Sequence, residues 1–294
     1  MSPLLSVRDL RVSFPTRSGR LEAVRGISFD LGRERLGVVG ESGSGKSMTG
    51  RAILGLVRPP GRVEATRLDL QGEPILGLPE RQMRRLRGAR ISMIMQDPRY
   101  SLNPVMTVGR QIAEGYRLHS GAGPRAARDK ALEMLRAVRI REPERVFDAY
   151  PHEISGGMGQ RVMIAMMLAP DPQILIADEP TSALDVSVRN EVLRILDRLV
   201  TERGMGLIFI SHDLNLVSQF CDRVLIMYAG RVVEELAARD LHAARHPYTR
   251  GLLDSLPRLD RPVRRLAVLD RRPEWRDADL ALPAAAPPSP AKEP

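Results

Sequence analysis

The sequence predicts an α/β fold in which a parallel sheet alternates with helices and is interrupted by a block of helices alone. Three observations carry this reading. Short continuous apolar runs at 36–40, 173–178 and 207–211 each lead through a turn into a segment of helical periodicity, the pattern of strands buried on both faces between crossover helices. Strand signals stop from about Asp97 to Leu168, where helical patterns such as AARDKALEMLRAVRI take over. A length of 294 residues with 43% apolar composition is enough to furnish a large core.

The elements follow in order. LGVVG (36–40) is an apolar strand ending in glycine, and after a polar turn SMTGRAILGLV repeats apolar residues at Met48, Ile53, Leu54 and Leu56/Val57, predicting a helix to about Val57. QILIAD (173–178) is a second buried strand. The helix after it carries Val188, Val192, Leu193, Ile195, Leu196 and Leu199 on one side. LIFIS (207–211) is a third strand, followed by a helix from Asn215 to Cys221. RVLIMYAGRVVEE then reads as a hairpin turning at Ala229-Gly230. The end of the chain, ALPAAAPPSPAKEP, has little to bury and is expected to be disordered from about residue 281. No internal repeat is visible.

Composition narrows the function classes. No run approaches the 18 or more apolar residues of a membrane span, and the densest patch, Val162 to Ala169, stops at Pro170. The start, MSPLLSVRDLRVSF, has no signal-peptide pattern, so a protein made and kept in the cytoplasm is expected. Cys221 is the single cysteine and reads as a small buried hydrophobe. No Cys/His cluster has metal-ligand spacing. The net charge of +9 is spread along the chain rather than gathered as a nucleic-acid stripe. Its densest run, RQMRRLRGAR, places Arg81, Arg84 and Arg85 on one helix face, either a solvated face or a contact for an anionic partner.

Among 45 basic residues only Lys46, Lys130 and Lys292 are lysines, and Lys46 follows alternating glycines. GESGSGKS fits G-x-x-x-x-G-K-[ST], the Walker A phosphate loop, with Gly40, Gly45, Lys46 and Ser47 in the defining places. Glycines let backbone N–H groups converge on phosphate oxygens, the helix that follows adds its positive end, Lys46 reaches the β- and γ-phosphates and Ser47 ligates Mg²⁺. A compact ammonium suits a space among phosphates better than a planar guanidinium. In ILIADEP the apolar strand delivers Asp178 to its C-terminal edge, where open α/β sheets bind ligands; this suits a carboxylate acting on Mg²⁺. Glu179 is then placed to polarise a water for attack on the γ-phosphate. In ISGGMGQR, Ser155, Gly156 and Gly157 precede the apolar helix VMIAMMLA, a second helix start able to hold an anion.

At this point the chain resembles the ATP-binding cassette family, whose signature reads L-S-G-G-Q. Ile154 and Met158 replace its first and last residues, and Gly159 stands where a larger or polar residue is usual; the Ser-Gly-Gly core is intact. The resemblance runs from about residue 4 to 257. It implies roles for Gln96 in MIMQDP, similar to the Q-loop and a Mg²⁺ contact, for Asp185 in SALD, similar to the D-loop, and for His212 in ISHDL, similar to the switch histidine. Phe14 is the best candidate for the aromatic that stacks on adenine, and the eight residues after it, PTRSGRLE, read as a long hairpin. QDPRYSLNPVMTVGRQIAE and HPYTRGLLDSLP look like the dipeptide, oligopeptide and nickel importer subfamily. Some of its members carry four cysteines after the HPYT element; none is present here, so no iron–sulfur centre is expected.

The fold so implied is a P-loop NTPase (RecA-like) core with an N-terminal antiparallel β subdomain, over 1–96 and 169–244, and an inserted α-helical signature subdomain over 97–168. A C-terminal subfamily extension (245–280) and the disordered tail (281–294) complete the division. The implied cofactors are ATP and Mg²⁺. Ser42, Gly43, Ser44 and Met48 join Gly40, Gly45, Lys46 and Ser47 around the nucleotide, Ser155, Gly156, Gly157 and Asp185 act across a dimer, and Glu179, His212, Lys46 and Gln96 carry the chemistry. The implied function is the ATP-hydrolysing subunit of an importer of peptides or nickel and metal chelates. Its partners would be a second cassette, identical or homologous, two integral-membrane permeases and an extracytoplasmic substrate-binding protein, at the cytoplasmic face of the inner membrane. The alternative, a soluble cassette ATPase acting on nucleic acid or ribosomes, usually shows zinc modules, a long coiled coil or two cassettes in one chain, none of which is visible.

Overall fold

The computed structural model describes residues 2–96, 101–182, 184–255 and 275. The expected tail at 281–294 lies outside the described residues, as does most of the proposed extension beyond 255. The chain opens with a long antiparallel pair, β1 (Leu5–Thr16) and β2 (Gly19–Leu31), joined at Arg17-Ser18 with Thr16 opposite Gly19. The stretch after Phe14 is therefore paired strand closed by a two-residue turn, the long hairpin expected there. Leu5, Val7, Leu10 and Val12 of β1 are buried.

Next come β3 (Arg35–Val39), a glycine-rich loop and α1 (Lys46–Ile53). α1 is shorter than its apolar spacing predicts. Gly55 adopts φ +62, a left-handed conformation that terminates helices, and Leu56 is left 40% exposed. The short strands β4 (Arg62–Glu64), β5 (Arg67–Leu70) and β6 (Glu73–Pro74) complete an antiparallel sheet ordered β2-β1-β5-β6, with β4 against β1. α2 (Glu80–Leu86) buries Met83 and presents Arg81, Arg84 and Arg85 to solvent. After β7 (Ile91–Ile94) the chain runs through α3 (Val108–Ser120), α4 (Pro124–Ala137), α5 (Pro143–Asp148) and α6 (Gly156–Leu168). The remainder is β8 (Ile174–Asp178), α7 (Val186–Arg203), β9 (Gly206–Ser211), α8 (Leu214–Phe220), β10 (Arg223–Tyr228), β11 (Arg231–Ala237) and α9 (Pro247–Asp254).

The second sheet is ordered β11-β10-β3-β9-β8-β7, parallel throughout except for β11. Its strands explain the continuous apolar runs. Successive side chains point to opposite faces, and both faces are covered. Ile174, Ile176, Ile208, Ile210, Leu225 and Met227 pack with α1 and the antiparallel sheet, while Leu175, Ala177, Leu207, Phe209, Val224 and Ile226 pack with α6, α7 and the other helices. A polar residue anywhere in these runs would face a core. Polar residues therefore collect at and just beyond the C-terminal strand ends, and the parallel arrangement brings those ends to one edge of the sheet.

Cys221 is buried at the end of α8, and burial pushes its thiol pKa up to about 12. It is an inert hydrophobe, as its isolation in the sequence suggests.

Candidate functional site

The loop after β3 is shaped by glycines. Gly40 has φ +155, and a β-carbon there would lie 2.1 Å from the Met227 carbonyl oxygen; Gly45 has φ +100, and one there would lie 2.5 Å from the Ala23 carbonyl oxygen. No other residue fits these two positions. Beside Gly43 the added atom would meet nothing, so the loop tip faces open space. Gly45 leads directly into α1, whose first residue is Lys46, and the N–H groups of its first turn face the loop. Lys46 is 6% exposed. Its ammonium donates to the carbonyl oxygens of Gly40 and Glu41, both at 2.8 Å, and stands 3.4 Å from Ser44 Oγ. Burial lowers its pKa, opposed by the charges of Glu179, Asp178 and Glu41.

Ser47, the next residue, donates its hydroxyl to Asp178 Oδ1 at 2.8 Å. Asp178 ends β8, is 3% exposed, and burial raises its pKa despite the Ser47 hydrogen bond and the charge of Arg51. A desolvated carboxylate paired with a hydroxyl is an oxygen donor set that a hard divalent cation would stabilise. The residues present therefore fit Mg²⁺.

Glu179 adopts φ +46, rare for a residue with a side chain. Its N–H donates to the Ile210 carbonyl at 3.0 Å, and its own carbonyl accepts the Ser182 hydroxyl at 3.2 Å. This bend swings its carboxylate between two partners. Gln96 Nε2 donates to Oε2 at 3.1 Å, and His212 Nδ1 lies 3.2 Å from Oε1. Gln96 comes from the end of β7 and His212 from the end of β9, the neighbours on either side of β8. Three adjacent strand ends thus deliver an acid flanked by an amide and an imidazole.

The other predicted residues fall elsewhere. Ser155 caps α6, accepting the Met158 N–H at 3.3 Å. Asp185 caps α7, accepting the Ser187 and Val188 N–H groups, each at 3.0 Å. These backbone bonds hold its pKa below the usual carboxylate range. The two caps are linked, because Val188 Cγ1 fills the space beside Gly157, 2.8 Å from where a β-carbon would stand. Among the described residues no hydrogen bond joins Ser155, Gly156, Gly157 or Asp185 to Lys46, Ser47 or Asp178. Phe14 packs its ring over Gly61 on the segment after α1, half-buried.

Such an assembly of phosphate loop, strand-end carboxylates and capped Ser-Gly-Gly invites comparison with known proteins, and residues 24–182 match the ABC transporter family. The dipeptide transport ATP-binding protein DppD of Haemophilus influenzae is 48% identical over 86% of this chain and 78% of its own length. The oligopeptide transport ATP-binding protein OppD of Salmonella typhimurium is 49% identical over 87% of this chain and 77% of its own.

The chain belongs to the ABC transporter family.

Within it this chain is an ATPase cassette of α/β, P-loop NTPase fold. The ATP-binding cassette MJ0796, solved as a dimer bound to ADP and phosphate, superposes with a TM-score of 0.71 at 26% identity, covering 80% of this chain and 99% of that one. The cassette cbiO1 of Clostridium perfringens, part of a transporter complex, gives 0.70 at 26% identity, covering 83% and 92%. Among the described residues no helix is long and apolar enough to cross a membrane.

Two supports of the site were not foreseen from the motifs. Gly230 N–H donates to the Ser44 carbonyl at 3.1 Å, and the Gly230 carbonyl accepts the Arg25 N–H at 2.7 Å, so the β10–β11 turn braces the phosphate loop against β2. Glu41 N–H donates to Tyr248 Oη on α9 at 3.1 Å. The turn at Ala229-Gly230 and the HPYT element were both visible in the sequence; their contact with the loop was not.

Proposed function

We propose that this cassette hydrolyses ATP to power peptide import through separate membrane subunits. The observation that carries it is the chain of contacts at one sheet edge: Lys46 at the loop, Ser47 on Asp178, and Glu179 held between Gln96 and His212. Lys46 would pass from the Gly40 and Glu41 carbonyls to the triphosphate, while Ser47 and Asp178, with Gln96, would hold Mg²⁺. When bound, that cation neutralises charge on the phosphates. Glu179 accepts a proton from the attacking water, and Gln96 and His212 leave it to contact the γ-phosphate side. Ser42, Gly43, Ser44, Gly45 and Met48 line the loop and first turn, and Phe14 is kept as the adenine platform on its partly open ring.

Ser155, Gly156, Gly157 and Asp185 serve a second cassette's nucleotide, a reading supported by the absence, among the described residues, of any hydrogen bond from them to Lys46, Ser47 or Asp178 and by the dimeric solved relative. Two permeases, an extracytoplasmic binding protein and a peripheral place on the cytoplasmic face of the inner membrane complete the machine. The nucleic-acid or ribosome alternative is not favoured, since the relatives at about half identity are peptide transport proteins. For the cargo, ATP hydrolysis by the assembled transporter should rise with peptide-loaded binding protein. A rise with a nickel chelate and none with peptides would overturn the peptide reading.

Lys46→Ala should weaken nucleotide binding, because a buried site for a highly charged anion loses its nearest cation. Charge-assisted hydrogen bonds contribute about 1.5–3 kcal/mol each, roughly 10- to 100-fold in affinity. Titration with a fluorescent ATP analogue measures this. Affinity equal to the parent's would contradict the phosphate-loop assignment.

A further inference from the structure

The C-terminal HPYT element packs directly behind the phosphate loop. Tyr248 is 0% exposed although it lies on the last described helix. Its ring meets Tyr228 at a centroid distance of 4.5 Å and Trp275 at 6.3 Å. His246 caps the same helix, accepting the Tyr248 N–H at 3.1 Å. Tyr228 and Trp275 also meet, at 6.2 Å, so a three-ring cluster sets the direction of the hydroxyl, which accepts the Glu41 N–H. The carbonyl of the same Glu41 accepts from Lys46.

The loop is therefore held at both ends. Gly230 N–H grips the Ser44 carbonyl, one residue beyond the open Gly43 tip, and Tyr248 Oη grips Glu41, one residue before Ser42. Gly230 follows Tyr228 by two residues, and Tyr248 packs on Tyr228, so both grips stand beside the end of β10. Held ends leave Ser42 and Gly43 as the part free to close on phosphate. A loop already in its binding shape loses less entropy when the anion arrives.

We infer that Tyr248 is a positioning residue for nucleotide binding: its hydroxyl fixes the first peptide of the phosphate loop and, through Glu41, the resting place of Lys46. The inference rests on the ATPase reading above. It gives the C-terminal segment a part in ATP affinity, so that displacement of α9 by a neighbouring subunit would loosen the loop.

The test uses the full chain and the assembled transporter. In the unmodified chain the Glu41 amide should exchange with solvent at least tenfold more slowly than the Ser42 and Gly43 amides; equal rates would overturn the inference without any variant. Tyr248→Phe keeps the ring packed against Tyr228 and Trp275 and removes only the hydroxyl. We expect the emission maximum of Trp275, the only tryptophan, to stay in place, KM for ATP to rise three- to tenfold and kcat to stay within twofold. A KM unchanged in Tyr248→Phe but raised in Lys46→Ala would sink the positioning role alone. A KM unchanged in both would remove the phosphate-loop reading beneath it.

Discussion

Replacing Glu179 by glutamine should leave ATP binding intact and lower turnover by 10²- to 10⁴-fold, roughly 3–5 kcal/mol of barrier. The structure explains why these two effects separate. The carboxylate is held by Gln96 at one oxygen and sits 3.2 Å from His212 at the other, and a glutamine of equal shape can keep one oxygen acceptor and offer an amide donor. What it cannot do is accept a proton from water. The left-handed backbone at residue 179 is unchanged in kind, since both side chains have the same branching. Single-turnover hydrolysis by the assembled transporter, with nucleotide binding measured in parallel, reads the two quantities apart. Turnover within threefold of the parent would remove Glu179 from its role. Asp178→Asn would be a poorer probe, because Asp178 also receives the Ser47 hydroxyl at a buried position and its loss would disturb several contacts at once.

Much of this site was legible because the parallel sheet forces it to be. A strand buried on both faces reads as an uninterrupted apolar run, so the first polar residue after each run marks the sheet edge. Asp178 after 174–177, and Ser211 with His212 after 207–210, announce themselves in that way. The Ala229-Gly230 turn was equally clear, and both residues have positive φ as a tight hairpin demands. The helix α8, expected from Asn215 to Cys221, was placed to within a residue. What failed was local. α1 stops four residues early, since apolar spacing does not register the left-handed Gly55. The PTRSGRLE stretch, by contrast, is the long hairpin it reads as, an exposed edge held by pairing rather than by burial. The strands β4, β5 and β6, of two to four residues, are too short for any period to show. Contacts between distant segments, such as Tyr248 on Glu41, leave no local trace at all.

Ser155→Arg should leave ATP binding to the isolated chain unchanged yet lower hydrolysis by the assembled transporter at least 100-fold. Ser155 starts α6 and Lys46 starts α1, and no hydrogen bond connects the two groups among the described residues. Each helix start offers unpaired N–H groups to an anion. If both act, they act on different nucleotides, and only a second cassette brings the Ser155 end onto the first one's γ-phosphate. An arginine there places bulk where that phosphate must sit, and loss of a single well-placed donor already costs 10²- to 10³-fold at sites of this kind. The substitution also deletes the cap that accepts from Met158, a loss of about 1 kcal/mol. Ser155→Ala deletes the same cap without the bulk, so the excess effect of arginine over alanine isolates the steric and charge contribution. Thermal melting should show both variants slightly and equally destabilised. The sandwich reading falls if the isolated chain hydrolyses ATP at the full transporter rate, or if Ser155→Arg weakens nucleotide binding to that chain as severely as Lys46→Ala.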